Sequence, residues 1–212
     1  MKRFVSLIAC MLCLALVIPA MGESTEAAAV AETESQAHIF LCPANFYAAY
    51  NYLIEVLADE IRESYGDEIA ESLKSGYSLS DVDVQAMDSD PKGTILYLGN
   101  ADWTVEASFT YVGELAEGDY NEPALNMNLS FRPDTPEIVL TLGTTILNTI
   151  VDVEYEDVPG MAEAIDEWFA TADDPGDILE LPDGYSLNYI RMDQQITYAI
   201  LPPPEENVFA GQ

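Results

Sequence analysis

Three cysteines, one histidine and seven basic residues set against 38 acids leave this 212-residue chain short of material for several kinds of chemistry. A zinc site needs about four converging Cys or His ligands, and so few cannot assemble one. A net charge of −31 at pH 7 repels nucleic acid phosphates and anionic lipid alike, so no nucleic acid partner is expected. A Gly-rich phosphate loop, a G-x-S-x-G elbow and an H-E-x-x-H helix are all missing, which closes the familiar routes to nucleotide binding, serine hydrolysis and metallopeptidase chemistry. Nothing in the sequence asks for a cofactor.

Long apolar runs are scarce as well. Residues 4–18 form the longest, and at about 15 residues it falls short of the roughly 20 that a spanning helix needs, so no membrane span is expected. It follows the basic Met1-Lys2-Arg3 and precedes the small-residue stretch Pro19-Ala20-Met21-Gly22, which is the order of a secretory signal peptide. Residues 1–22 are therefore expected to be removed on export. Leu7-Ile8-Ala9-Cys10 carries the letters of a lipoprotein cleavage site, but a cut there leaves only residues 4–9 as apolar core, too little to direct export. Loss of Lys2 and Arg3 takes the exported chain to a net charge of about −33, a surface that serves solubility and, among charged partners, favours basic proteins or divalent cations. Cys10 and Cys13 leave too. Cys42 then stands alone, no intramolecular disulfide can form, and the fold must be held by packing.

What is present is enough for that. Hydrophobic residues make up 49 % of the chain, ample for one core in a domain of about 190 residues. Residues 23–37 lack any periodic apolar face and read as a disordered linker; residues 202–212, with three prolines and then acids, read as an extended tail. The folded unit is expected over 38–201. Pro43 marks a helix start, and Phe46, Tyr50, Leu53, Ile54, Leu57 and Ile61 follow as one stripe as far as Gly66, with a shorter helical segment over 67–74. Further helices are expected after Thr135-Pro136-Glu137, where Ile138, Leu142, Ile146 and Ile150 recur every fourth residue, and from Pro159 to the breaker Asp173-Asp174-Pro175-Gly176.

Elsewhere the period is two. Trp103, Val105, Ala107, Phe109 and Tyr111 alternate with Thr104, Glu106, Ser108 and Thr110; Leu125, Met127, Leu129 and Phe131 alternate with Asn126, Asn128 and Ser130. Stretches 77–84, 94–98, 184–191 and 195–201 bring the strands to about six, the first changing its apolar face near Asp81 as a bulged strand would. One-faced helices and one-faced strands satisfy each other by stacking. The expectation is an α+β fold of two layers, an antiparallel sheet with helices packed on one face. Gly76-Tyr77-Ser78-Leu79 returns as Gly184-Tyr185-Ser186-Leu187, each after a helical stretch, which raises a helix-then-hairpin pseudo-repeat. In the first helix, Phe46-Tyr47-Ala48-Ala49-Tyr50-Asn51 followed by a set of strands resembles uncharacterised exported α+β modules of Gram-positive bacteria. That resemblance implies an extracytoplasmic module with no assigned chemistry.

Candidates for chemistry are few. Cys42 precedes Pro43 at a helix N-terminus, where the dipole lowers a thiol pKa, and His38 lies four residues upstream, so a secreted hydrolase using Cys42 or an unidentified carboxylate is one reading. No orienting third group or oxyanion hole accompanies the pair, and a buried Cys42 acting as a small hydrophobe is the plainer alternative. The run opening at Asp88-Ser89-Asp90 starts like a calcium loop but has Gly99 where a bidentate Glu belongs, and Asp173, Asp174 and Asp177 are turn formers first. No metal site is assigned. What remains is the polar face of the sheet, where Thr104, Glu106, Ser108, Thr110, Asn126, Asn128 and Ser130 offer short hydrogen-bonding side chains with one charge among them. Such groups lose little entropy on contact, although threonine also suits an ordinary solvated strand. The expected function is thus a secreted, non-catalytic binding module whose open sheet face or exposed edge strand contacts a protein or cell-envelope component.

Overall fold

A computed structural model describes residues 38–115, 120–132, 135, 137–174, 176–192 and 195–209. The expected leader over 1–22, the linker over 23–37, Pro136 of the helix start signal and Pro175 of the breaker lie outside the described residues. After a single turn at Ile39–Leu41, helix α1 spans Pro43–Tyr65 and α2 spans Asp67–Tyr77. Strands β1 (Asp81–Met87), β2 (Gly93–Gly99), β3 (Val105–Val112) and β4 (Asn126–Phe131) follow, then helices α3 (Glu137–Glu154) and α4 (Met161–Thr171), then β5 (Ile178–Glu180), β6 (Ser186–Met192) and β7 (Gln195–Leu201). The strands form one antiparallel sheet in the order β1-β2-β3-β4-β7-β6-β5. This is the α+β fold the periodicities predict, with seven strands among the described residues where about six were expected; the addition, β5, is three residues long and too short to show a period.

The helices cover one face. α1 buries Phe46, Tyr50, Leu53 and Ile54 of the predicted stripe, while Leu57 and Ile61 are half-buried, and its Phe46 ring meets Phe109 of β3 edge-on at 5.8 Å. From α4, Trp168 meets Tyr198 of β7 at 6.0 Å. Phe109, Met127, Leu129, Phe131 and Tyr198 share one side of the sheet by register, and all are buried. Gly143, an unfavourable residue for a helix interior, lets α3 settle onto that side: a Cβ there would stand 2.5 Å from the Phe131 ring. A smaller cluster of Ala58, Ala70 and Leu73 joins α1 to α2 across the Gly66 corner, where φ is 88°.

Four expectations need correction. The 77–84 stretch holds a helix end and a strand start, because α2 runs on to Tyr77 and β1 opens at Asp81; the change of apolar face is that transition and not a bulge. Trp103 does not extend β3, since its φ of 52° breaks the alternation before Val105. The two Gly-Tyr-Ser-Leu runs are not equivalent, one closing α2 ahead of β1 and the other leading from β5 into β6. The architecture nonetheless has two units, each a helix pair followed by a meander, joined at the central β4 and β7 pair. Finally, the described part of the tail, 202–209, is folded back rather than extended. Pro203 accepts from the backbone N–H groups of Glu206 and Asn207, and the Phe209 ring reaches Gly93 on β2.

Candidate functional site

The face of the sheet away from the helices is curved into a trough. Ser108, Asn128, Ala199 and Asn188 lie in one cross-strand row, and Glu106, Ser130, Thr197 and Ile190 in the next. Ile95 and Tyr97 of β2 and Ile190 and Met192 of β6 line one hollow of about 310 Å³. In a flat sheet those strands would be about 19 Å apart, four spacings of roughly 4.8 Å, so their sharing of one small hollow requires curvature. Concavity also explains why Ser108, Thr110, Ser130 and Thr197 are buried with no helix over them. The floor is knitted by Ser130 to Thr197 at 2.9 Å between hydroxyls and by Asn128 Nδ2 donating to Ser108 Oγ at 3.2 Å. Glu106, Ser108, Thr110, Asn128 and Ser130 line the hollow, Asn126 lies on the same face opposite Thr110, and its buried Oδ1 has no partner among the described residues.

At one end the trough opens into a second hollow of about 550 Å³, lined among others by Asp83, Tyr97, Trp103, Thr104, Glu106, Arg132 and Gln195. A tight turn builds this end. Asn100, 1 % exposed, uses its Oδ1 to accept the N–H groups of Thr104 (2.8 Å) and Val105 (3.0 Å), and its Nδ2 donates to the Gly76 carbonyl (2.7 Å) and Thr104 Oγ1 (2.8 Å). Trp103 N–H donates to the Asn100 carbonyl at 2.9 Å. The turn holds Trp103 at a positive φ that bulky residues rarely adopt and lays its indole on Gly99, where any Cβ would overlap the ring. Trp103 was expected beneath the helices; the turn puts it on the opposite face. Gly99 and Glu106 are direct cross-strand partners, so the indole lies next to the Glu106 side chain. Burial raises the Glu106 carboxyl pKa. The Tyr97 hydroxyl is also raised, by burial first and then by the charges of Glu106 and Asp83.

Cys42 and His38 do not form a nucleophile and base. The thiol is buried, and its pKa is pushed up by burial and then by the Glu154 charge. Both ring nitrogens of His38 are engaged, Nδ1 with Glu154 Oε1 at 3.0 Å and Nε2 with Asp183 Oδ2 at 2.9 Å. Hydrogen bonds that His38 donates to Asp183 and Glu154 raise its pKa to about 9. The ring is thus an imidazolium at neutral pH, with no lone pair to take a proton. Glu154 Oε2 also accepts the Ile39 N–H at 3.0 Å, Tyr155 donates to Asp183 Oδ2 at 2.8 Å, and the imidazole stacks on Phe40 at 5.0 Å. The cluster clamps the chain ahead of α1 to the end of α3 and to the turn before β6. Sequence reasoning missed it, because His38 and Glu154 are 116 residues apart and neither belongs to a motif.

At the acidic turns, Asp177 Oδ2 accepts the N–H groups of Asp173 and Asp174, both at 3.1 Å, which is turn formation. Among the described residues no group of three or more His, Cys, Asp or Glu converges as metal ligands would, and no helix is long and apolar enough to cross a membrane. No family model matches the chain, and no curated protein or solved structure matches it either.

Proposed function

We propose that the protein is a secreted, non-catalytic binding module that receives a protein or cell-envelope component in the trough of its sheet. The observation that carries this reading is Trp103. A bulky residue held at positive φ costs on the order of 1 kcal/mol, and such strain persists where the surrounding structure is built to hold it. Here the four side-chain hydrogen bonds of Asn100 and the bare surface of Gly99 hold it, and the result is an aromatic ring presented on a polar concave face. Shape supports the reading as well, since convergent polar groups beside aromatic walls are what ligand sites offer. The edge strand is the weaker surface, because β1 carries Asp81 and Asp83, charges that discourage strand addition. Export rests on the order of residues 1–22.

The test is retention of a partner from the secreting cell's own exterior fraction. Wild type should retain it and Asn128→Arg, which places a long side chain in the trough and removes the bond to Ser108, should not, with cooperative thermal unfolding showing that the variant is folded. Full retention by the variant would remove the trough from the account. Intact mass of the exported protein checks the leader separately, with a start expected between Ala20 and Thr25; a product beginning at a lipid-modified Cys10 would contradict it.

A further inference from the structure

Glu106 is the feature of the trough that the fold leaves unexplained. It is half-buried, burial alone raises its pKa, and among the described residues it has neither a hydrogen-bond nor an ion-pair partner. A carboxylate withdrawn from water without a counter-charge is unfavourable, and chains commonly neutralise such groups internally. Arg132 lines the same end of the trough but forms no ion pair with it, and Asp83 adds a second negative charge, leaving two acids to one base around the Trp103 and Tyr97 rings. We infer that this end of the trough, formed by Trp103, Tyr97, Glu106 and Asp83, seats an organic cation: the ammonium or guanidinium group of a lysine or arginine side chain on a basic partner protein.

Three properties of the site fit that occupant. Aromatic faces attract a cation through their quadrupole, most strongly where water is excluded. A cation also supplies what Glu106 lacks, whereas a neutral ligand such as a sugar would strip its remaining water and leave the charge uncompensated. Beyond the charged end, Ile95, Ile190 and Met192 offer apolar walls for the methylene stem of a long basic side chain, and the hydroxyl and amide floor suits a peptide backbone. A chain of net charge −31 would steer a basic segment toward itself at long range.

The inference rests on the trough being the binding surface, and the experiment separates the two. The folded protein is titrated with a terminally capped peptide of alternating lysine, arginine and glycine, with the same peptide carrying glutamine at each basic position, and with spermine, following tryptophan fluorescence and heat. The basic peptide should bind saturably and perturb Trp103. Glu106→Gln should weaken it tenfold or more, Gly99→Val, which displaces the indole, by a similar factor, and Glu60→Gln, which removes one exposed acid from α1, less than twofold. Equal losses in Glu106→Gln and Glu60→Gln would reduce the binding to diffuse attraction and overturn the cation seat. Equal affinity for the glutamine peptide would overturn it while leaving the trough as the surface. Binding of spermine without the peptide would overturn the basic-protein partner. If neither peptide binds while Asn128→Arg still abolishes partner retention, the cation seat falls and the trough stands. If retention is insensitive to Asn128→Arg, the trough itself falls.

Discussion

The trough and the His38 cluster are built from similar parts and treated in opposite ways. Each sets acids beside aromatic rings at partial burial. In the cluster the fold matches them: both nitrogens of His38, both oxygens of Glu154 and the Asp183 carboxylate have partners inside the chain. In the trough Glu106 has none among the described residues, and Trp103 is held at a strained φ to lie beside it. Polar groups matched internally consolidate a fold, whereas polar groups held rigid and unmatched in a concavity leave their interactions for a ligand. The two regions should therefore respond to mutation and pH with opposite signs.

The comparison is anchored by the core that supports the trough from beneath. Phe131, 1 % exposed and in contact with Gly143, should cost about 3 to 5 kcal/mol when replaced by Ala, measured by urea denaturation. A loss below about 1 kcal/mol would mean that the two faces of β4 have been assigned the wrong way round.

His38→Gln comes next, with an expected loss on the order of 2 kcal/mol near neutral pH, because it leaves Glu154 and Asp183 facing each other without a cation. The folded-state pKa of about 9 lies above the ordinary 6.5, so the imidazolium stabilises the native state fully below about pH 6.5, and that contribution is lost as the pH rises through about 9. The gap between wild type and variant should close over that window. Asp183 works from the acid side. Burial would raise its pKa, but hydrogen bonds from His38, Tyr155 and the Tyr185 N–H outweigh it and leave the pKa lowered; its contribution is present above the ordinary carboxyl pKa of 3.8 and fades as the pH falls through the lowered folded value. A gap independent of pH from 6 to 10 would show that His38 acts by packing alone.

Cys42→Ala should cost about 1 to 2 kcal/mol, the worth of a small buried group, and leave partner retention intact. Alkylation of the native thiol should be slow at neutral pH. Rapid stoichiometric labelling coupled to loss of an activity would bring back the hydrolase reading.

Where repetition carries the information, the sequence was readable. The α1 stripe, the alternation from Val105 to Tyr111 and that from Met127 to Phe131 each repeat several times, so one face of each element was legible before any contact was known. Six of the seven polar residues picked from that alternation fall within β3 and β4 on the trough face, and Thr104 lines its open end. Trp103 escaped because a single positive φ reverses a side chain without altering the pattern of letters around it. The floor's burial escaped because curvature is a property of the whole sheet, and the His38 cluster because its partners are joined only by the fold.

The most direct test of the contrast is the urea midpoint of Glu106→Gln against wild type at pH 7. A carboxyl whose folded pKa is raised above its unfolded value destabilises the native state once ionised, so the account predicts that the variant is at least as stable as wild type, the reverse of His38→Gln. A loss of more than about 1 kcal/mol would mean that Glu106 is matched within the fold as His38 is, and would contradict the claim that the trough holds its charge for a ligand.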